Sequence, residues 1–186
     1  LALEYMGHEP GQYEFCSPND HVNGSQSTND AYPCAVHLAM YADHLEMVKH
    51  LDMLIESLEK KAEEYKNIIK MGRTQLQDAV PMTLGLTFKA FAQSMKNEKE
   101  HLLEAAKELL YSNMGATAIG TGICSTLEYR EVCLRALREI TGWDIQLAKD
   151  FVQATSDATP MLVYSSALRT LCTSLCKVCN DLRLMS

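Results

Sequence analysis

The sequence predicts an all-α protein whose long helices pack side by side in a bundle. Of its 186 residues, 47% are hydrophobic, whereas glycine and proline number only 9 and 5. Leu, Ala, Glu, Lys and Met are abundant, which is typical of helical proteins. Apolar residues also recur at steps of three and four over long stretches, which indicates amphipathic helices. The chain is long enough and hydrophobic enough to form a folded core.

The longest predicted helix begins near Asp30 and continues to about Lys70. We expect Pro33 to fall within its first turn, where a proline is tolerated. At about 1.5 Å per residue this helix is about 60 Å long, which exceeds the diameter of a compact small domain. Its apolar stripe consists of Tyr41, Leu45, Val48, Ile55, Leu58, Ala62, Tyr65 and Ile69.

Two further stripes predict long helices, one ending at about Asn113 and one reaching the last residues. Shorter helices are predicted over residues 127–141 and 148–154, with Gly142 between them. No Gly or Pro terminator follows the last stripe, so we expect that helix to continue beyond Ser186. The two stripes are Leu84, Phe88, Phe91, Met95, Leu102, Ala105 and Leu109, and Tyr164, Leu168, Leu171, Leu175, Val178, Leu182 and Met185.

These elements suggest two regions of different character. Residues 1–30 form a polar loop segment, and residues 31–186 form a long-helix bundle domain. Helices with such spacing normally pack in bundles, often across subunits. We therefore expect the chain to associate with copies of itself.

The charge of the chain argues against two classes of partner. The net charge is −7 and no long basic run is present, so nucleic acid and anionic membrane surfaces would be repelled on average. No apolar stretch approaches the roughly 20 residues that cross a bilayer, and no secretory signal is recognisable. We expect a soluble cytoplasmic protein.

The seven cysteines form an odd, irregularly spaced set and are expected to be free thiols. Three of them, Cys172, Cys176 and Cys179, have a spacing that also occurs in iron–sulfur proteins. They lie inside an uninterrupted helical pattern, however, where small apolar thiols pack. We therefore expect no metal and no cofactor.

Residues 17–30 form the first segment suited to ligand binding. Hydroxyls and amides just before a helix N-terminus can bind a carboxylate through neutral donors and the helix dipole. Helix capping and turn formation explain the same residues without a ligand, and physical chemistry alone favours that explanation. Residues 71–81 form a second polar connection, which either positions a small ligand or is a linker with an Arg73–Asp78 ion pair.

Residues 115–122 contain three glycines but do not predict a phosphate site. Their spacing matches neither the dinucleotide-binding motif nor the P-loop, and no strand is predicted before them. None of the three segments contains a nucleophile–base pair or two candidate catalytic carboxylates.

Long stretches of the sequence resemble the aspartase/fumarase superfamily. The resemblance runs in family order through residues 19–23, 26–33, 70–85, 115–122 and 179–186. Within the superfamily, residues 26–32 read QSTNDAY as in aspartases, whereas fumarases more often read SSNDTF. Gln75 stands where fumarases have His, residues 80–82 read VPM instead of TPL, and Ala116 stands where they favour Gly.

The resemblance implies part of the central helical domain of that fold, in a homotetramer whose active sites each combine segments of three subunits. It implies elimination of ammonia from L-aspartate to give fumarate, with a loop serine as base. By motif position, Ser27, Thr28 and Asn29 would bind the β-carboxylate and amino group of this dicarboxylate. Thr74 and Gln75 would lie near the α-carboxylate and amino group.

Several departures from the family pattern limit what is carried over. The loop with the base serine and a lysine is not among the 186 residues, so we expect an internal piece of a lyase that is inactive alone. Cys34 replaces Thr, Leu86 and Thr87 replace Gln and Glu, and Cys124 replaces Asn beside the glycine-rich turn. Ser17 replaces the His of a second anion site of fumarases, so that site is not expected.

Two alternatives remain from the sequence. A fumarate hydratase or another lyase of the superfamily would have the same fold. A purely structural helical-bundle fragment would self-associate without binding a substrate.

Overall fold

The computed structural model describes residues 1–186 and is mainly helical, which confirms the predicted all-α class. No helix combines the length and apolar character needed to span a bilayer. The helices are α1 (Ala2–Tyr5), α2 (Thr28–Glu64), α3 (Leu84–Ala106), α4 (Leu127–Thr141), α5 (Phe151–Ser156) and α6 (Thr159–Met185), with a π-helical turn at Pro18–Val22 and a 3-10 turn at Lys107–Leu110. The strands are β1 (Ile69–Thr74), β2 (Gln77–Thr83), β3 (Tyr111–Ser112) and β4 (Gln146–Leu147).

The chain forms two compact units. The first contains residues 1–38 and 110–158, and the second contains residues 39–109 and 159–186. The predicted division into a polar loop segment and a bundle domain at residue 30 stays a prediction. Within the first unit, the start of α2 is hydrogen-bonded to the glycine-rich segment. Helix α2 contributes residues to both units.

Helix α2 begins two residues before the predicted start and ends at Glu64, earlier than the predicted end at Lys70. Pro33 is its sixth residue, so the expectation that this proline lies in the first turn is wrong. Proline has no N–H and leaves the carbonyl four residues earlier without its helical donor. The Asn113 side chain replaces that donor, because its Nδ2 donates to the Asn29 carbonyl oxygen at 3.1 Å.

The predicted polar turn between the first two long helices is instead a β-hairpin. Strands β1 and β2 pair antiparallel from Ile69 opposite Thr83 to Thr74 opposite Gln77, with an irregularity between Met71 and Arg73. β-branched and long apolar side chains favour strands. The turn residues that predict a hairpin from sequence, such as Asn-Gly, are absent here. The alternative of an Arg73–Asp78 ion pair is confirmed, with Nε and Oδ1 3.2 Å apart.

The remaining predicted helices are confirmed with changes at their ends. Helix α4 spans the predicted residues and ends at Gly142, whose φ of 72° is left-handed. The predicted helix over residues 148–154 lies instead at α5, where Asp150 caps the first turn by accepting from the Gln153 amide at 2.9 Å. Helix α3 ends before Asn113, because the chain tightens into a 3-10 turn and then forms β3, which pairs in parallel with β4.

The second unit has a hydrophobic core in which α3 packs against α6. Two polar pairs lie beside this core: Lys99 contacts Asp52 at 2.6 Å, and Ser174 donates to the buried Glu98 at 2.8 Å. The buried apolar residues are Leu51, Ile55, Leu58, Phe91, Ala92, Met95, Leu102, Ala105, Ala106, Leu109, Tyr164, Leu171 and Val178.

All seven cysteines are free, as predicted. The expectation that Cys172, Cys176 and Cys179 pack inside the structure is wrong within this chain, because all three are exposed on α6. They follow one another at steps of four and three residues and so share a helix face that the chain leaves uncovered. No group of three His, Cys, Asp or Glu residues is arranged to hold a metal ion.

A buried histidine joins α2 to α6 within the second unit. His44 is only 2% exposed, and its Nδ1 lies 3.1 Å from the Tyr164 hydroxyl. Burial lowers the pKa of His44 below its ordinary value of about 6.5, because the imidazolium loses its hydration. Burial also raises the pKa of Tyr164, so the phenol remains a donor to the neutral imidazole.

We predict that the folded chain loses stability as the pH falls below about 6.5. The unfolded histidine binds a proton there, whereas folded His44 with its lowered pKa resists protonation, so the unfolded state is favoured. One such group changes the free energy of unfolding by at most about 1.4 kcal/mol per pH unit. Urea unfolding between pH 5 and pH 8 should show a weaker pH dependence in His44→Gln, whereas the exposed control His50→Gln should match the unsubstituted chain. Equal pH dependence in all three proteins would contradict the assignment.

Candidate functional site

Ser27 and Asp30 form a capping box at the start of α2. Ser27 precedes the helix, and its Oγ accepts from the Asn29 amide at 3.2 Å. Asp30 returns the interaction, since its Oδ1 accepts from the Ser27 amide at 2.9 Å. Both bonds satisfy amides that have no partner inside the helix. The capping explanation of this segment is therefore correct, and it leaves the Ser27 hydroxyl hydrogen free to donate to a ligand.

Asn29 joins the helix start to the glycine-rich segment. Its Nδ2 donates to the Ala118 carbonyl at 2.7 Å, and its own carbonyl accepts from Asn113. This orientation leaves the Asn29 Oδ1 as the free polar atom of the side chain. A free amide oxygen accepts hydrogen bonds, so it suits an ammonium group better than a carboxylate.

A cavity of about 370 Å³ opens beside this helix start. Ser27 and Thr28 line it, whereas Asn29 does not. The Thr28 side chain is exposed, so its hydroxyl can meet a ligand from solvent. The lining is uncharged and is composed of Asn23, Gln26, Ser27, Thr28, Ala31 and Tyr32.

The polar residues that precede this cavity mostly satisfy one another. The Ser17 amide donates to Nδ1 of His21 at 2.8 Å, and the Ser17 hydroxyl donates to Asp20 at 3.0 Å. Ser17 also accepts from the Asp20 amide and so caps the π-helical turn. These side chains hydrogen-bond one another and hold the loop in shape, so no ligand is needed to explain them.

Two of the three glycines of residues 115–122 make room for the Arg130 side chain. A Cβ atom on Gly115 would lie 2.4 Å from the Arg130 Cγ, and one on Gly122 would lie 1.7 Å from its Nη2. The Arg130 Nε donates to the Gly115 carbonyl at 3.1 Å, and its guanidinium lies 4.5 Å above the Phe151 ring. Gly120 instead lies against the α5 backbone, where a Cβ atom would be 2.3 Å from the Val152 Cα. Packing within the chain thus explains all three glycines, which agrees with the rejection of a phosphate site.

The expectation that no strand precedes the glycine-rich segment is wrong. The two-residue strand β3 ends shortly before Gly115, although no strand was predicted there. Cys124, which follows the glycine-rich turn, is exposed and has a left-handed φ of 69°.

Cys34, by contrast, is buried, and its Sγ lies 3.3 Å from the Ser112 Oγ. Burial raises the pKa of the Cys34 thiol.

Three partly buried titratable side chains of the first unit favour their uncharged forms. Burial raises the pKa of the Tyr129 phenol and of the Cys133 thiol, so both keep their protons near neutral pH. Burial lowers the pKa of His37, whose Nδ1 lies 3.3 Å from the Tyr111 carbonyl oxygen. The cavity beside Ser27 is lined by no histidine, carboxylate or lysine that could remove a carbon-bound proton.

Thr74 and Gln75 lie at the tip of the β1–β2 hairpin, in the second unit. The two-residue turn is Gln75–Leu76, and both residues have left-handed φ values, 51° and 62°. Neither residue is a glycine, so each is held in a conformation that costs roughly 1–2 kcal/mol. Strained backbone of this kind points to a functional role, because Asn-Gly would form the same turn with less strain.

The structure thus brings together some of the predicted residues. Ser27, Thr28 and Asn29 are adjacent at the start of α2, and Thr74 and Gln75 are adjacent at the hairpin tip, but the two groups belong to different units. A second cavity, of about 570 Å³, contains none of the predicted residues and is lined by Glu59, Ala62, Glu63, Lys66, Thr83, Gly85, Leu86 and Lys89.

Three residues that organise the first unit were not predicted: Asp30, Asn113 and Arg130. Asp30 could have been found, because a Ser followed three positions later by Asp before an apolar run is a capping-box signal. Asn113 and Arg130 carry no such signal. Their partners lie 84 and 15 residues away in the sequence, and only the folded chain brings them together.

The comparisons with known proteins identify the family. The family model described as Lyase matches residues 1–186, and the chain belongs to this family. Aspartate ammonia-lyase of Escherichia coli is 47% identical over the whole chain, and that of Helicobacter pylori is also 47% identical. The chain spans only 39% and 40% of the lengths of these two relatives.

Solved structures show the same fold. The chain is similar to a fumarate lyase:delta crystallin from Brucella melitensis bound to cobalt, with a TM-score of 0.94 and 42% identity, covering 100% of this chain and 40% of that one. A recombinant class II fumarase from Schistosoma mansoni matches with a TM-score of 0.85 and 28% identity, covering 88% of this chain and 38% of that one.

We predict that Gly122→Ala destabilises the chain mainly through Arg130. The new methyl group would overlap the guanidinium and would also be strained at φ 71°, so we expect a loss of about 2 kcal/mol or more. In an Arg130→Ala background the overlap is gone and only the backbone strain remains, so the loss should fall to about 1 kcal/mol. Urea unfolding of the four proteins of this cycle tests the coupling, and additive effects would contradict it.

Proposed function

We propose that the chain forms part of an aspartate ammonia-lyase that eliminates ammonia from L-aspartate to give fumarate. The observation that carries this proposal is the match of the whole chain, at 47% identity, to relatives of that name. Because the chain spans 39–40% of those relatives, the proposed activity is that of the complete protein. The motifs around Ser27 and Thr74 support the same assignment.

The start of α2 is proposed to bind one end of the substrate. The hydroxyls of Ser27 and Thr28 donate to the β-carboxylate from the cavity that they line. The Asn29 Oδ1 accepts from the ammonium group, since its Nδ2 is already bonded to the Ala118 carbonyl. Neutral donors near a helix N-terminus suit a dianionic ligand, because the helix dipole favours negative charge there.

The same donors would favour the transition state over the substrate. Removal of the β-proton turns the β-carboxylate into an enediolate with additional negative charge. The Ser27 and Thr28 hydroxyls, already aimed at those oxygens, bind the more negative species more strongly. The base is proposed to be a serine on a loop that is not among these 186 residues.

Thr74 and Gln75 are proposed to bind the α-carboxylate and amino group. The rigid hairpin places them at an exposed tip, where a partner segment can approach. We propose a homotetramer in which each site combines segments of three subunits, so the two binding segments need not meet within one chain. We also propose a cytoplasmic location and no cofactor.

A fumarate hydratase is the second candidate, favoured by the similarity to a class II fumarase. The two reactions form the same product, fumarate, by eliminating ammonia from L-aspartate or water from L-malate, so substrate choice separates them. Assaying the complete protein with L-aspartate and with L-malate decides between them: fumarate formation from malate alone would overturn the ammonia-lyase proposal. A purely structural bundle would form fumarate from neither substrate.

We predict that Thr74→Val in the complete protein lowers kcat/KM for L-aspartate by about 10²-fold or more. Valine has the shape of threonine but no hydroxyl, so the substrate carboxylate loses a hydrogen-bond donor. Initial rates of fumarate formation measure the effect. Kinetics near those of the unsubstituted enzyme would remove Thr74 from the site.

We also predict that the 186-residue chain alone self-associates and forms no detectable fumarate. Its long helices leave large apolar residues exposed, including Met53, Leu86 and Leu162, and such patches usually find a partner. General-base catalysis contributes about 10²–10⁴-fold, and the proposed base lies outside these residues. Light scattering and fumarate absorbance test both parts. Steady fumarate formation that disappears on Thr74→Val would place the base inside this chain.

A further inference from the structure

The geometry points to Asp30 as a positioning residue that fixes the start of α2 to the glycine-rich segment and so holds Ser27 and Thr28 in their binding positions. This inference rests on the proposed function of Ser27 and Thr28. Asp30 itself does not line the cavity beside them. It acts on the ligand site only through the backbone that it holds.

Asp30 has a rare environment for a carboxylate. Its residue is 0% exposed, although aspartate is almost never fully buried without partners. Each carboxylate oxygen has a backbone partner: Oδ1 accepts from the Ser27 amide at 2.9 Å, and Oδ2 accepts from the Thr117 amide at 2.8 Å. The two amides are separated by 90 positions in the sequence, since Asp30 itself lies 87 positions from Thr117 and 3 from Ser27.

The second bond distinguishes this residue from an ordinary helix cap. A capping box needs only the bond to Ser27. The bond to Thr117 instead reaches the glycine-rich segment at a residue with a left-handed φ of 59°, which is unusual for a β-branched side chain. Thr117 is buried and its hydroxyl donates to the Ala116 carbonyl. The carboxylate therefore holds the segment in a conformation that it would not readily adopt alone.

The start of α2 lines the cavity, and the glycine-rich segment is joined to that start through Asn29. Ser27 and Thr28 line the cavity, and the Ala118 carbonyl, one residue after Thr117, accepts from Asn29. Displacing Thr117 would therefore also release the Asn29 side chain from the orientation that leaves its Oδ1 free. One buried carboxylate thus controls the direction of donors and acceptors at three neighbouring positions.

Asparagine at position 30 removes this control with little change in shape. Its side chain has one acceptor oxygen, so only one of the two amides keeps its partner. The other amide then faces an NH2 group, which is a donor and repels it. We expect the Asp30→Asn protein to retain its helices, because α2 has 37 residues and loses only one terminal contact.

The test compares Asp30→Asn with Asp144→Asn in the complete protein. Asp144 is a matched control, since it is exposed and its carboxylate accepts locally from Gln146, outside the binding segments. We expect Asp30→Asn to raise KM and lower kcat, with kcat/KM for L-aspartate reduced by about 10²-fold, because misplaced binding groups weaken the transition-state complex. Asp144→Asn should remain within a factor of about 3. Melting temperatures are measured alongside.

The outcomes separate the positioning role of Asp30 from the proposed function. A lower Tm with unchanged KM and kcat would mean that Asp30 is only structural, which overturns the inference but leaves the proposed function intact. An unsubstituted protein that forms no fumarate would overturn the proposed function, and the inference with it. Loss of kcat/KM in Asp30→Asn alone supports both.

Amide hydrogen exchange on the unsubstituted complete protein provides a second measurement if Asp30→Asn does not fold. Fumarate bound at Ser27 and Thr28 should slow exchange at the Thr117 amide as well as at Ser27, because Asp30 links the two. Slowing at Ser27 with no change at Thr117 would overturn the positioning role. Slowing at neither amide at saturating fumarate would instead count against the proposed binding site.

Discussion

A carboxylate can remain inside a protein only where donors replace the water that it has lost, and the first unit is arranged around one such group. Asp30 obtains its donors from the start of α2 and from the glycine-rich segment. Two further sets of contacts hold the same region together. Asn113 reaches the carbonyl that Pro33 leaves without a donor, and two of the glycines give space to Arg130. The apolar part of the first unit is small, so backbone hydrogen bonds to side chains carry much of its organisation.

The second unit depends on a different constraint, which explains why its helices were easier to predict. Apolar residues at helical spacing bury themselves between α2, α3 and α6, and this periodicity is visible in the sequence. The apolar stripe of α3 agrees with the buried set at Phe91, Met95 and Leu102. The hairpin was missed because its strand pairing is specified by neither periodicity nor recognisable turn residues. Gln75 and Leu76 occupy positions that normally attract Asn and Gly.

The candidate site was predictable only in part. The hydroxyl and amide residues at 27–29 stand out by composition, and the structure places two of them on a cavity. The orientation of Asn29 follows from its contacts with Ala118 and Asn113, which lie far along the chain. Contacts between distant residues leave no local pattern in the sequence. The exposed cysteines of α6 show the converse: helical spacing placed them on one face, but spacing alone does not say whether that face is covered.

The left-handed turn at Gln75–Leu76 places two selective pressures in opposition. Selection for folding alone favours residues that adopt this backbone without strain, above all Asn followed by Gly. The proposed role of Gln75 in ligand recognition would favour a long amide side chain at the tip of the hairpin. Under that proposal, glutamine at position 75 is a compromise, in which a strained backbone is kept together with the reach of the side chain. Consensus or stability-guided redesign of this protein would erase that compromise first.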